Sequence, residues 1–106
     1  MQFQFNTDSH IQGDDRLAEV AETTVSSALG HLTARLTRVE VHLADVNGAN
    51  KGGADDIRCT IEARPEGIQP QTVTHHDANV EAALRGGGMK LRALLDSEFG
   101  KLDKRR

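Results

Sequence analysis

Apolar residues recur along the chain at two spacings, and the switches between them mark out six elements. Gln2-Phe3-Gln4-Phe5 alternates polar and apolar, which predicts a short strand with both phenylalanines facing inward. Residues 7–13 are polar and read as a connection. From about Asp14 the spacing becomes helical: Leu17, Val20, Ala21, Val25, Ala28 and Leu32 make one apolar stripe. Asp14 and Asp15 place negative charge where a helix dipole favours it, and the helix is expected to end between Gly30 and Thr33.

Period two returns from Thr37 to Asp45, with Val39, Val41 and Leu43 on one side and Arg38, Glu40 and His42 on the other. Residues 46–55 are rich in Gly and Asn and read as a hairpin loop. A third strand is expected from Asp56 to Arg64, with Ile57, Cys59, Ile61 and Ala63 inward. Pro65-Glu66-Gly67 makes a tight turn, and a fourth strand follows over about Ile68 to His75, with Pro70 near its start or on an edge. Asp77 is the expected N-cap of a last helix running from Ala78 to about Asp103. Its buried stripe is Val80, Ala83, Leu84, Gly87, Leu91, Leu94, Leu95 and Leu102. Gly86-Gly87-Gly88 interrupts that helix, and each Gly costs about 1 kcal/mol against Ala there. Three in a row imply a bend or, as favoured here, a close approach to the sheet or to the first helix.

The order β-α-β-β-β-α predicts an α+β fold with a four-stranded mixed sheet. The β-α-β crossover makes strands one and two parallel, and the next two strands continue as an antiparallel meander. Both helices must cover the apolar face containing Phe3, Val39, Val41, Ile57 and Ile61, which leaves the other face open and polar. A length of 106 residues fits one domain, residues 1–106. With no Trp or Tyr and three Phe, the core must be mainly aliphatic.

Charge changes the picture more than composition does. The net charge is −3, but residues 85–106 carry seven bases and three acids, and residues 1–84 carry six bases and thirteen acids. An acidic body with a basic end is a hint of an anionic partner, although the same charges suit the C-terminal dipole of a solvated helix. A single cysteine fits a reducing compartment. The first residues lack the pattern of a secretory signal and no apolar run is long enough to span a bilayer, so a cytoplasmic protein with no membrane partner is expected.

Candidate chemistry is sparse. His75 and His76 are adjacent on a strand and point to opposite faces, so they are poorly placed to share a metal. Cys59 follows the inward parity and His42 the outward one, which argues for a buried inert thiol. Lys51-Gly52-Gly53 lacks the order of a phosphate loop, and Asp55-Asp56 is not a cation site by itself. No enzyme activity, cofactor, metal or small-molecule substrate is expected. Arg38, Arg58 and Arg64 lie on the outward sheet face and offer a second surface for RNA, but Glu40 and Glu62 share that face and pairing with them is the favoured reading.

Several segments together resemble the ribosome hibernation-promoting factor and ribosome-associated inhibitor family, also called sigma-54 modulation protein. They are Met1-Gln2-Phe3-Gln4-Phe5-Asn6, Arg35-Leu36-Thr37-Arg38-Val39-Glu40-Val41-His42-Leu43, and Lys90-Leu91-Arg92. The stretch Lys51-Gly52-Gly53-Ala54-Asp55-Asp56-Ile57-Arg58-Cys59, followed by Glu62-Ala63-Arg64, resembles a short-form branch. The likeness covers essentially the whole chain. It implies a fold similar to double-stranded RNA-binding domains, binding to the small ribosomal subunit, and translation shut-off with protection of idle ribosomes. It also implies rRNA contacts by Lys90, Arg92, Lys101 and Lys104, with Arg35 and Arg38 leading into the second strand. The first helix carries Glu19, Glu22, Thr23, Ser26 and Ser27 and only Arg16 among bases. That weak footprint keeps a second reading open: a protein–protein interaction module of the same fold, homodimeric through its open sheet face.

Overall fold

A computed structural model describes residues 1–46 and 56–104. The six expected elements are present in the expected order, with one 3-10 turn added. β1 (Gln2–Thr7) leads to α1 (Asp15–Leu29) and a 3-10 segment (Gly30–Arg35). β2 (Leu36–Asp45), β3 (Ile57–Pro65), β4 (Gln71–Asp77) and α2 (Val80–Lys104) follow. The strands form one sheet in the order β1-β2-β3-β4, with β1 parallel to β2 and the other neighbours antiparallel. The parallel pair follows from the crossover through α1, and the meander from the short connections between later strands. The hairpin read over residues 46–55 lies, Val46 apart, outside the described residues, as do Arg105 and Arg106.

The termini of the elements have chemical causes. Asp14 caps α1 by accepting a hydrogen bond from the Leu17 N–H at 2.8 Å. Gly30 ends it in a left-handed conformation at φ 59°, which a side chain would resist. Two expected boundaries are corrected. β4 begins at Gln71 rather than Ile68, because the ladder with β3 opens at the Ala63–Gln71 pair, after Pro70, which has no N–H to offer. The N-cap of α2 is Asn79 and not Asp77. Asn79 Oδ1 accepts from the Ala82 N–H at 2.8 Å and its carbonyl from the Ala83 N–H at 2.9 Å. Asp77 is still in the sheet, opposite Ile57, and its carboxylate takes the Ala78 N–H and His75 Nε2 at 2.8 and 3.0 Å.

The core lies between the sheet and the two helices. It joins Ala21, Val25 and Leu29 of α1 to Val39, Val41 and Leu43 of β2, Ile57, Cys59, Ile61 and Ala63 of β3, and Ala83, Leu84, Leu91, Leu95 and Phe99 of α2. Leu29 and Phe99 extend the two expected stripes, whereas Leu94 is only half-buried. α2 runs unbroken through Gly86-Gly87-Gly88 for 25 residues, roughly 38 Å. The glycines serve close approach, and to both neighbours. A Cβ on Gly87 would lie 3.1 Å from Cys59 Sγ and Ile61 Cδ1 of the sheet. One on Gly88 would lie 2.7 Å from Ala28 Cβ of α1, and one on Gly86 would overlap the His75 ring.

Candidate nucleic-acid interface

α2 starts at the end of β4 and runs back antiparallel to it, with α1 on its other side. That arrangement separates the basic residues by the direction in which each leaves the helix. Lys90 leans toward the sheet edge and donates to the Thr74 carbonyl of β4 at 3.0 Å. Arg92 leans the other way: its Nη1 donates to the Ala28 carbonyl at 3.3 Å and its Nε lies 3.7 Å from Asp96 Oδ2. It thereby satisfies a carbonyl in the last turn of α1, which has no basic residue of its own there. Lys101 is exposed and pairs with Glu98 at 3.2 Å, one turn back. Lys104 is exposed at the end of the helix.

Arg35 closes the 3-10 segment and is held on two sides. Its guanidinium lies 3.8 Å from the centroid of the Phe99 ring and makes two hydrogen bonds to Asp103, at 3.2 and 3.1 Å. Those contacts fasten the C-terminal half of α2 to the chain entering β2. Arg38 is on the other side of the molecule, on the outer face of the sheet, where it donates to Gln4 Oε1. The six residues named from the sequence are therefore not one patch. Lys90, Lys101 and Lys104 are on α2; Arg92 and Arg35 are engaged in holding α2 to its neighbours; Arg38 faces away on the sheet.

The outer face is built from rows that cross the strands. Gln2, Arg38 and Arg64 are register partners in one row; Gln4, Glu40, Glu62 and Thr72 form the next; Asn6, His42, Thr60 and Thr74 the one after; Arg58 and His76 pair beyond them. Glu40, His42, Thr60, Glu62 and Thr72 line a shallow depression of about 350 Å³. The expected pairing of glutamates with arginines holds for Arg64 and Glu62, at 3.5 Å, while Glu40 accepts from Asn6 Nδ2 at 3.3 Å instead. Arg64, one of the three outward arginines, stands directly opposite Arg38.

Cys59 and the adjacent histidines His75 and His76 stand apart from one another in their surroundings. Cys59 is buried under α2, and desolvation pushes its thiol up to about 12, so it stays protonated. His75 points under α2 toward Asp77, while His76 is exposed. Among the described residues, no group of three or more His, Cys, Asp or Glu side chains is placed to hold a metal, and no helix is long and apolar enough to cross a membrane.

No protein-family model matches the sequence, and no curated protein matches it. Comparison with solved structures does find likeness. The fold is that of a ribosomal subunit interface protein. That protein, from Coxiella burnetii, superposes with a TM-score of 0.74 at 9% identity, covering 94% of this chain and 99% of its own. The N-terminal domain of Protein Y from Thermus thermophilus superposes with a TM-score of 0.67 at 17% identity, covering 89% of this chain and 94% of its own. At these identities the likeness establishes the fold: four strands in a mixed open sheet under two helices, over nearly all of each chain.

Proposed function

We propose that this chain is a short-form ribosome hibernation factor that binds the RNA of the small ribosomal subunit in the cytoplasm and holds translation off. The observation that carries the reading is the near-complete superposition on a ribosomal subunit interface protein, reached independently of the sequence segments that resemble the hibernation family. The basic residues support it in part. Lys101 and Lys104 are exposed and reach solvent from one end of α2, and Lys90 is exposed with its amine near the β4 edge. Shape and phosphate contact, rather than base reading, suit a surface with no exposed Phe, Tyr or Trp. Arg35 and Arg92 act in this reading by fixing the pose of α2. The protein works by binding and not by catalysis.

The test is sedimentation through sucrose gradients with purified small subunits. The wild-type chain should co-sediment, and Lys90→Glu, Lys101→Glu and Lys104→Glu together should abolish co-sedimentation while leaving the thermal transition in place. Binding should weaken steeply as salt rises, with log Kobs falling by roughly 0.7–0.9 per phosphate contacted for each tenfold rise in salt. A triple variant that pellets like the wild type, or affinity indifferent to salt, would point instead to the protein–protein module.

A further inference from the structure

The outer sheet face carries a feature that the helix-based reading leaves unused. Arg38 and Arg64 are direct cross-strand partners, and like charges so placed, with Cβ atoms about 4.5–5.5 Å apart, destabilise a sheet. A β-bulge lies immediately beyond the pairing. Between the Leu36–Pro65 and Arg38–Arg64 pairs β2 uses one residue more than β3, and the extra residue is Thr37. The bulge lets Leu36 and Val39 both be buried while Thr37 and Arg38 both lie between them on the outward side. The Thr37 hydroxyl then donates to the Arg64 carbonyl at 2.9 Å and pins the two strands together there. The bulge thus serves burial of Leu36, and the arginine pair is the last regular rung before it, where the ladder holds two cationic side chains side by side.

The charge of the pair is also poorly met from within. Arg38 donates to the neutral Gln4, its Nε is shielded from water with no hydrogen-bond partner, and no carboxylate among the described residues lies within ion-pair distance of it. Among the described residues Arg64 has only Glu62, at 3.5 Å, with its own side chain 54% exposed. Gln2, next to Arg38 in the register and exposed, adds an amide donor to the row. Beside this row stand Glu40 and Glu62, also direct partners. They repel an anion from the middle of the face and leave the strand ends as its line of approach.

We propose that Arg38 and Arg64 form a clamp for one backbone phosphate of RNA, making the bulged end of the outer sheet face a second RNA contact, separate from α2. The clamp rests on the reading of the chain as an RNA-binding ribosome factor, but it fails separately. The probe is a short RNA duplex, titrated against the full chain over a range of salt. Arg38→Gln and Arg64→Gln should each reduce the slope of log Kobs against log salt by roughly 0.7–0.9, the worth of one phosphate. The double variant should lose no more than either single one, because both arginines hold the same phosphate. Glu62→Gln should tighten binding by roughly two- to fivefold at low salt, the scale of an exposed charge pair, by releasing Arg64 and removing repulsion. The Nε–Hε resonances of Arg38 and Arg64 should shift together on titration while that of Arg58 stays in place. Unchanged slopes, additive losses in the double variant, or weaker binding by Glu62→Gln would overturn the clamp. Failure of the wild type to co-sediment with small subunits would overturn the ribosomal reading and leave the duplex measurements to decide the clamp.

Discussion

The two halves of α2 are bound to the same protein by opposite means. The first half carries Gly86, Gly87 and Gly88 and approaches by removing side chains: the space a Cβ would need is already taken by His75, by Cys59 and Ile61, and by Ala28. The second half carries Leu91, Leu95 and Phe99 and fills the gap with side chains, all of them buried. It also contains a fourth glycine, Gly100, around which nothing lies within 4 Å. Helix propensity treats these four glycines alike, and packing separates them three to one. Function follows the same division. Close approach brings Lys90 within reach of the β4 edge, at the Thr74 carbonyl, whereas Lys101 and Lys104 extend beyond the filled half into solvent.

The filled half should be the easier to break. Phe99→Ala removes the one fully buried ring and the platform for Arg35, and should cost about 3–5 kcal/mol by denaturant unfolding. Asp103→Ala, which removes the salt bridge and leaves the ring, should cost about 1 kcal/mol or less because Asp103 is exposed and Arg35 partly so. If the two variants cost the same, the ring is not what holds this half. In the close half, Gly88→Ala puts a methyl 2.7 Å from Ala28 Cβ, and overpacking of about 1–3 kcal/mol should outweigh the gain of about 1 kcal/mol in helix propensity. Ala28→Gly in the same chain should recover most of the loss, and a double-mutant cycle measures that coupling directly. Additive losses would mean that α1 is not the neighbour that requires glycine at this position.

Much of this division could be read from the chain, and the parts that could not have physical reasons. The periodicities gave six elements, the parallel pair and the inward parity of Cys59, because burial on one face leaves its mark at every second or every third to fourth residue. Three adjacent glycines signalled close approach, but not that Gly87 faces the sheet and Gly88 the first helix, since that depends on the rotation of the helix. Phe99 fell outside the expected stripe although it stands four residues after Leu95, the same step that joins Leu91 to Leu95. Asp77 was mistaken for a cap because capping preference is local, whereas its pairing with Ile57 is set across the sheet. Of the candidate interface, the types of residue were legible and their directions were not. Arg92 and Arg35 are bases in the sequence and fastenings in the fold, a role fixed by Ala28 and Asp103 at separations of 64 and 68 residues.

Gly100 offers the converse test. With open space around it, Gly100→Ala should stabilise the protein by up to about 1 kcal/mol, raising the midpoint by roughly 4–8 °C, the reverse sign of Gly88→Ala in the same helix. Co-sedimentation should be unaffected. A destabilised Gly100→Ala variant would place an unseen neighbour against the second half and remove the contrast between the halves.

The finest test lies where the close half meets the sheet, at Gly86. His75 occupies the space its missing Cβ would fill, and its Nε2 lies 3.0 Å from Asp77 Oδ2. The Ala78 N–H first, and then the His75 side chain, hold the Asp77 carboxyl below its ordinary value. A carboxyl depressed in the folded state contributes stability that is fully present above its unfolded value, about 3.9, and is lost as pH falls through the folded one. Asp77→Asn should therefore flatten the fall in melting temperature below about pH 4 without changing the plateau near neutrality in proportion. Gly86→Ala should displace the imidazole but leave the Ala78 N–H where it is, so the Asp77 carboxyl, followed by carbon-detected NMR, should titrate higher than in the wild type yet still below a free carboxyl. Titration unchanged by Gly86→Ala would mean that the ring can turn aside at no cost to Asp77. In that case Gly86, unlike Gly87 and Gly88, could take a side chain as freely as Gly100.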